Sequence, residues 1–285
     1  MHAPSRPVPS TFRRGTLLVA LALVTLAGCS TGEDPTPSKP ATEASTTPAA
    51  AAPGGTAEAP STDVPAAPDA PALPTSCAAI SLVEGTQITG DDLGQCLEDF
   101  ERAARTGSSL VRLTPDDPGV ETQWLHADDG TYALLTARDG GDRVVVTPDG
   151  GASEDEGRWV RADAGGSFDE QLASSHVEAL RPQVQPDFQA ALVRLSDTWL
   201  VEGREEVTVL DGTKRSLWRI ASTKPVELVA GMPADVSLYT DVPGATEVMV
   251  STGGGNTSER LYGAWGAPVD ATAVEKAVAQ ALDTD

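Results

Sequence analysis

The sequence predicts an α+β domain: one curved antiparallel sheet, a half-barrel, with helices on its concave face. Three observations carry this expectation. Asp-Gly dipeptides at 129–130, 139–140 and 149–150 recur every ten residues between short extended runs. Asp-Gly in that setting marks a hairpin turn, where both turn positions call for positive φ. A second series of short strands follows residue 199, and helical periodicity is confined to segments before, between and after the two series. Runs of strands with segregated helices point to α+β architecture.

The elements follow in order. Asp91-Asp92 open a helix that runs to Arg105, with Leu93, Leu97, Phe100 and Ala104 at helical spacing, and it ends before Gly107. The first meander comprises Val120–His126, Tyr132–Ala137, Arg143–Thr147 and Arg158–Arg161. Phe168–Leu180 and Pro186–Leu195 read as helices, with Leu172, Leu180, Phe188, Leu192 and Leu195 on the side to be buried. The second meander comprises Trp199–Val201, Glu206–Leu210, Ser216–Ala221, Val236–Tyr239, Glu247–Val250 and Glu259–Ala264, with a turn at Asp211-Gly212. An amphipathic helix, Thr272–Leu282, closes the chain.

The segment ahead of this domain has a different character. Arg6, Arg13 and Arg14 precede an apolar run from Thr16 to about Ala27. Roughly a dozen apolar residues suit a signal-peptide core and are too few to span a bilayer. The run closes on Leu26-Ala27-Gly28-Cys29, which resembles the lipobox of bacterial lipoproteins. That resemblance implies a diacylglyceryl group on the Cys29 thiol and removal of residues 1–28. The chain is then expected at the outer face of the cytoplasmic membrane, held by its lipid. Residues 29–75 carry the lipidated Cys29 and a tether with ten prolines, many Ala, Thr and Ser, and no aromatic residue. Such a segment buries too little apolar surface to offset its ordering entropy. As a coil of about 45 residues it reaches roughly 35–40 Å, and further with proline stiffening. Residues 76–285 are the globular domain, long enough for one substantial core.

Charge narrows the partners. Loss of Arg6, Arg13 and Arg14 with the leader moves the formal net charge from −22 by three units to −25. A surface so acidic argues against nucleic acid, whose phosphates need basic residues, and against electrostatic adhesion to anionic lipid headgroups. With Cys29 assigned to lipidation, Cys77 and Cys96 remain as one pair in a compartment where disulfides persist.

Motifs of catalysis are scarce. His2 leaves with the leader, and His126 and His176 read as surface or turn residues. Ser174, Ser175 and His176 are neighbours in sequence, so on a helix they point to different faces. No nucleophile elbow, P-loop or zinc-binding helix motif stands where it would work. Asp116-Asp117 and Glu154-Asp155-Glu156 lack the alternating spacing of a calcium loop, and Gly253-Gly254-Gly255 reads as a hairpin loop without a following helix to hold phosphate. No catalytic residue, metal site or cofactor is expected, and the chain is not expected to be an enzyme.

Aromatic residues gather on the strands. Packing between sheet and helices accounts for most of them. A curved sheet with few helices also leaves room for an apolar cavity. By strand phase, Trp124, Tyr132, Leu134, Trp159, Trp218 and Ile220 are the candidates to line it.

The C-terminal half resembles the LppX/LprG group of actinobacterial lipoproteins, relatives of the LolA/LolB carriers. The residues that carry the resemblance are Val201-Glu202-Gly203 with Glu205-Glu206-Val207, Trp218-Arg219-Ile220, the strands Val236–Thr240 and Glu247–Val250, and above all Tyr262-Gly263-Ala264-Trp265-Gly266-Ala267-Pro268-Val269-Asp270. The order of lipobox, tether, helix and strands agrees. The resemblance implies a half-barrel whose concave side holds acyl chains, with a lipid or lipoglycan as ligand. The Cys77/Cys96 pair and the lack of a proline-rich close after Asp270 depart from that pattern. Two functions follow: an anchored lipoprotein that binds an apolar ligand for envelope transport, or an envelope interaction module that engages a protein partner and holds no ligand.

Overall fold

In the computed structural model of the chain the described residues are 71–114, 116–138, 143–155, 157–229, 231–267, 277 and 279. The leader, Cys29 and the tether up to Ala70 lie outside them, as do most of the expected C-terminal helix and the 139–140 turn. Ala277 and Ala279 are helical.

The chain opens with a 3-10 turn, Thr75–Ala79, and a short strand β1 (Gln87–Thr89). Helix α1 (Gly90–Ala104) follows, then β2 (Thr106–Arg112), β3 (Val120–Ala127), β4 (Gly130–Ala137), β5 (Arg143–Thr147), β6 (Gly150–Asp155) and β7 (Arg158–Arg161). Helix α2 (Phe168–Leu180), a 3-10 turn (Arg181–Val184) and helix α3 (Phe188–Val193) separate this meander from the next. The second half contains β8 (Thr198–Thr208), β9 (Lys214–Ser222), β10 (Val226–Val229), β11 (Met232–Thr240), β12 (Val248–Gly253) and β13 (Asn256–Gly263).

All thirteen strands join one open antiparallel sheet in the order β1-β8-β9-β11-β12-β13-β2-β3-β4-β5-β6-β7, with β10 paired to β11 alone. Each meander pairs its own neighbours, and β13 against β2 stitches the two together. The sheet ends on strands of three and four residues, and such short edges limit pairing with other chains. This is the α+β half-barrel that the sequence predicts. Four strands were absent from the expectation: β1, β2, β6 and β10. β2 has buried residues at every interior position, so it lacks the alternation that marks a half-exposed strand.

Turn chemistry differs from the expectation in detail. Ala127 pairs with Gly130 and Thr147 with Gly150, so the two-residue loops are Asp128-Asp129 and Pro148-Asp149, one residue earlier than the Asp-Gly dipeptides. None of these four loop residues has positive φ. The hairpin with two positive-φ positions is β12–β13, where Gly254 and Gly255 adopt φ of 59° and 81°.

Both main helices start where their caps dictate. Thr89 caps α1, its hydroxyl accepting from the Asp92 amide at 3.1 Å, with Asp91 and Asp92 favourably placed in the first turn. Ser167 and Glu170 form a capping box at α2. The buried stripe of α1 is Leu93, Cys96, Leu97, Phe100, Glu101 and Ala104. On α2 and α3 the expected stripe needs correction. Leu180 is buried, but Leu172 and Leu195 are exposed, and Phe188 and Leu192 are half-buried. The faces actually buried carry Ala173, His176 and Val177 on α2, and Gln189, Ala190 and Val193 on α3. Small and polar residues at helix–sheet contacts give too weak a periodic signal to set the phase.

The main core lies between the inner face of the sheet and the three helices. Trp199 anchors it, fully buried, with its indole N–H donating to the Val193 carbonyl at 2.8 Å. A disulfide joins Cys77 to Cys96 and so fixes the first 3-10 turn against α1. A register shift between Val201 and Arg204 breaks β8, and beyond it the β8–β9 hairpin forms a second core on the outer face. There Val209 and Leu217 pack with Leu110, Tyr239, Val248 and Leu261. Bulges bend strands, which is how one strand serves both faces. Among the described residues no helix is long and apolar enough to cross a membrane.

Candidate functional site

Residues directly opposite each other on paired strands share a face. One cross-strand row therefore runs through Val201, Ile220, Leu238, Met249, Arg260, Val111, Val120 and Ala137. Every member but one is apolar. Arg260 stands near the middle of this row, on the inner face, 5% exposed.

The adjoining row contains Tyr262, Ser109, Thr122, Leu135, Val144 and Ser153. It too is polar near its centre. Helices α1 and α3 pack on each other toward one end of the sheet, and α2 covers β5, β6 and β7 at the other. The 3-10 turn Arg181–Val184 links α2 toward α3 and borders β2, β3 and β4, while Phe188 of α3 reaches over Arg260 on β13. The roof thus has a seam above β13, β2, β3 and β4. Beneath it lies a cleft lined by Val111, Val120, Leu135, Leu180 and Val184, with Ser109, Thr122, Gln183 and Arg260. Its free volume for a water-sized sphere is about 10 Å³, the room of one water.

A buried polar cluster adjoins the cleft. The Arg260 Nη2 donates to Gln183 Oε1 at 2.5 Å, and its guanidinium lies 4.8 Å from the Phe188 ring centre and 6.0 Å from that of Tyr262. Gln189 donates to the Glu101 carboxyl at 2.5 Å. Three buried atoms here have no hydrogen-bond partner: Arg260 Nε, Tyr262 Oη and Gln189 Oε1. Buried polar groups are nearly always satisfied, so three orphans in one cluster require an explanation. Burial holds the Glu101 carboxyl well above the usual range, against the opposing pull of Gln189 and Arg260. Burial also pushes the Tyr262 hydroxyl up to about 12.

Beside the cluster, Trp265 stacks on Tyr262 at 5.8 Å and meets Phe100 and Trp124 edge-on at 5.7 Å each. Trp124 fits because its cross-strand neighbours are Gly107 and Ala133. A Cβ on Gly107 would stand 2.4 Å from the indole.

The six expected lining residues divide between two faces. Trp124, Trp218 and Ile220 belong to the inner core. Leu134 and Trp159 lie on the outer face, packed with Val145, Ala152 and Ala277. Tyr132 shares the strand phase of Leu134 and donates its hydroxyl to Asp129 at 2.7 Å. Tyr132, Leu134 and Trp159 therefore cannot line a cavity with the other three. The pairing register sets Trp124 opposite Ala133, so Tyr132 and Leu134 fall on the other face, and a helical segment at Ala277 gives the outer face an apolar layer of its own. None of the six borders the seam cleft. Arg260 was missed because a basic residue on a strand reads as solvent-facing.

The histidines also need correction. His176 is buried, with Nδ1 3.1 Å from the Ser153 hydroxyl. His126 is half-buried on β3, with Nδ1 3.1 Å from Thr131 Oγ1, and burial depresses it to about 4. Neither is a surface residue. Among the described residues no group of three or more His, Cys, Asp or Glu is placed to hold a metal ion.

Comparison with known proteins gives likeness of fold alone. No family model matches the chain, and no curated protein matches it. Among solved structures it is similar to LprF from Mycobacterium bovis, with 15% identity over 63% of this chain and 94% of that one and a TM-score of 0.39. It is similar to the Mycobacterium tuberculosis lipoprotein LppX, with 18% identity over 61% and 92% of the two chains and a TM-score of 0.36. A DUF1329 family protein from Desulfovibrio piger follows, with 13% identity, coverage of 66% and 97%, and a TM-score of 0.28. The group expected from the sequence thus reappears among the structural neighbours.

Proposed function

We propose that the protein is an anchored extracytoplasmic lipoprotein that binds a lipid or other apolar ligand between its sheet and helical roof, for movement through the envelope. On this reading residues 1–28 are the leader, Cys29 carries the lipid, residues 29–75 are the tether and 76–285 form the binding domain. The carrying observation is the cleft at the roof's seam. Apolar side chains from β2, β3 and β4 and from the Leu180–Val184 segment converge there beside unsatisfied polar groups. An apolar wall with a few placed polar groups is the composition of a small-molecule site. Burial of an acyl chain at about 25 cal/mol per Å² supplies affinity without any catalytic residue. A ligand longer than one water needs the roof to part where Leu180 and the turn residues Gln183 and Val184 border the cleft.

One observation favours a second reading. The cleft's free volume of about 10 Å³ is that of a filled interior, as an interaction module without ligand requires. Native mass spectrometry of the chain, produced in a related host and measured before and after solvent extraction, decides between them. A co-purifying mass released by solvent supports the ligand reading. A bare mass, with no uptake from total lipid extract, refutes it in favour of the module.

A further inference from the structure

Arg260 stands apart from the other sheet arginines in being buried without an ion pair among the described residues; Arg161, which also has none, is exposed. Arg112 pairs with Glu259, Arg138 with Glu121, Arg143 with Glu154, and Arg219 with Glu202 and Glu205. In a chain with 42 acidic and 20 basic residues, carboxylate partners are plentiful. Yet among the described residues no ion pair includes Arg260, the most buried of them. Glu101, the acidic group nearby, accepts from Gln189 and makes no ion pair with Arg260, and burial raises its carboxyl well above the usual range. The guanidinium is left with neutral neighbours: Gln183 Oε1 as its acceptor, the Tyr262 hydroxyl close enough to pull on it without meeting full hydrogen-bond geometry, two aromatic faces, and an Nε with no partner. It faces a cleft whose remaining wall is mostly apolar.

We propose that Arg260 is the head-group site for the ligand of this cleft, and that the ligand is an acyl chain ending in an oxyanion, a carboxylate or a phosphate. The inference rests on the ligand-binding reading above and narrows it. A guanidinium presents parallel N–H donors that match the geometry of such an oxyanion. The Nε donor is free, and Nη2 becomes available when the oxyanion replaces the Gln183 amide. Tyr262, with an unpaired hydroxyl beside the guanidinium, supplies a further donor. The chain then lies along Val111, Val120, Leu135, Leu180 and Val184.

The exchange at Gln183 has a mechanical consequence. Gln183 belongs to the turn that closes the seam. On its other side the turn is held by Arg181, which donates to the carbonyls of Thr147, Pro148 and Gly150 at 2.9, 3.3 and 3.0 Å. Transfer of Arg260 from Gln183 to a ligand removes the turn's side-chain hydrogen bond to β13, leaving those of Arg181 to the β5–β6 loop and of Gln183 to the Ala179 carbonyl. Head-group capture and opening of the seam are thereby the same event.

The test compares palmitate with its methyl ester, which has the same chain and no charge, on the full chain and on Arg260→Gln. Binding is followed by tryptophan fluorescence, since Trp124 and Trp265 lie beside the cluster. The expected result is a preference for palmitate of about tenfold or more in the unaltered protein, lost in Arg260→Gln while the ester still binds. Equal affinity for acid and ester in the unaltered protein overturns the head-group assignment and leaves the apolar-ligand reading standing. Failure of both probes to bind overturns both. Should Arg260→Gln not fold, the acid-to-ester ratio of the unaltered protein decides alone. Inorganic phosphate serves as a third probe. Displacement of palmitate by millimolar phosphate, with phosphate binding undiminished when no chain is present, would show a site for a small free anion and overturn the lipid assignment.

Discussion

Opening the Cys77–Cys96 bridge tests how the two-residue link between the first 3-10 turn and α1 contributes to stability. The partners are 19 residues apart. In the chain-entropy account, closing a loop of that length removes about 11 cal/mol/K from the unfolded chain, or roughly 3 kcal/mol at 25 °C. A domain of roughly 200 residues unfolds with an entropy near 0.4 kcal/mol/K, so the loss lowers Tm by roughly 7–8 °C. Both sulfurs are buried, at 1% and 0% exposure, and Gly244 packs against them. Reduction without substitution keeps that packing, whereas Cys77→Ala with Cys96→Ala removes it and adds a cavity penalty of about 1 kcal/mol or more. Calorimetry of the oxidised, reduced and doubly substituted protein separates the loop from the packing. The expected order of Tm is oxidised, then reduced, then substituted. A reduced protein within about 2 °C of the oxidised one would refute the loop-entropy argument, because the folded contacts are the same in both.

Two further predictions concern the inner face. Gly107→Ala places a Cβ 2.4 Å from Trp124 and is expected to destabilise by about 1–3 kcal/mol in urea unfolding; in a Trp124→Leu background most of that loss should vanish, and additive losses would show that the indole is not the obstacle. Glu101→Gln tests the buried carboxyl. Its folded value is raised by burial above the ordinary 4.5, with Asp187 and Glu98 adding to the rise and Gln189 and Arg260 opposing it. The folded state therefore keeps a proton that the unfolded state releases, and stability is lost as pH rises from below 4.5 through the raised value. The Gln variant escapes this loss, so it should be the more stable at neutral pH, with the two stability curves converging as pH falls toward 4.5. A constant offset between them would contradict the assignment.

The architecture was legible in the chain because it is written in features that survive single-residue errors. Two series of short strands, helices between them and a capped α1 follow from turn residues and spacing, and they hold whether a turn falls at 128–129 or 129–130. The site was not legible for the opposite reason. A side chain's face on a strand alternates with every residue, and how one strand's phase meets the next rests on the pairing register: Trp124 stands opposite Ala133, so Tyr132 and Leu134 point to the far side of the sheet. Residues that pack in both layers defeat the alternation altogether, as in Val144–Val146, where all three valines are buried. One signal did exist. In Glu259-Arg260-Leu261-Tyr262 the basic residue has the phase of Tyr262, not that of its neighbour Glu259, so the strand that carries the aromatic inward also carries the charge inward.

That phase explains how so acidic a protein comes to keep a buried guanidinium without a carboxylate among the described residues. Arg260 stands two residues from Tyr262 on the same strand face and directly across from Val111 and Met249, in the row that forms the floor beneath the seam. Leu or Met at that position would complete the row and close the interior as a packed core. Desolvating an unpaired guanidinium opposes folding by several kcal/mol, an expense the second core on the outer face, under the β8–β9 hairpin, has no counterpart for. The two cores of one sheet thus differ in the residue at their centre. The outer one is apolar but for the Tyr239 hydroxyl, which donates to Glu205, and it is closed by a hairpin of the same sheet. The inner one has a charge at its midpoint and unsatisfied polar atoms around it, beside a cleft bordered by Leu180 and the turn, which is the arrangement that the proposed site for an anionic, apolar-tailed ligand requires.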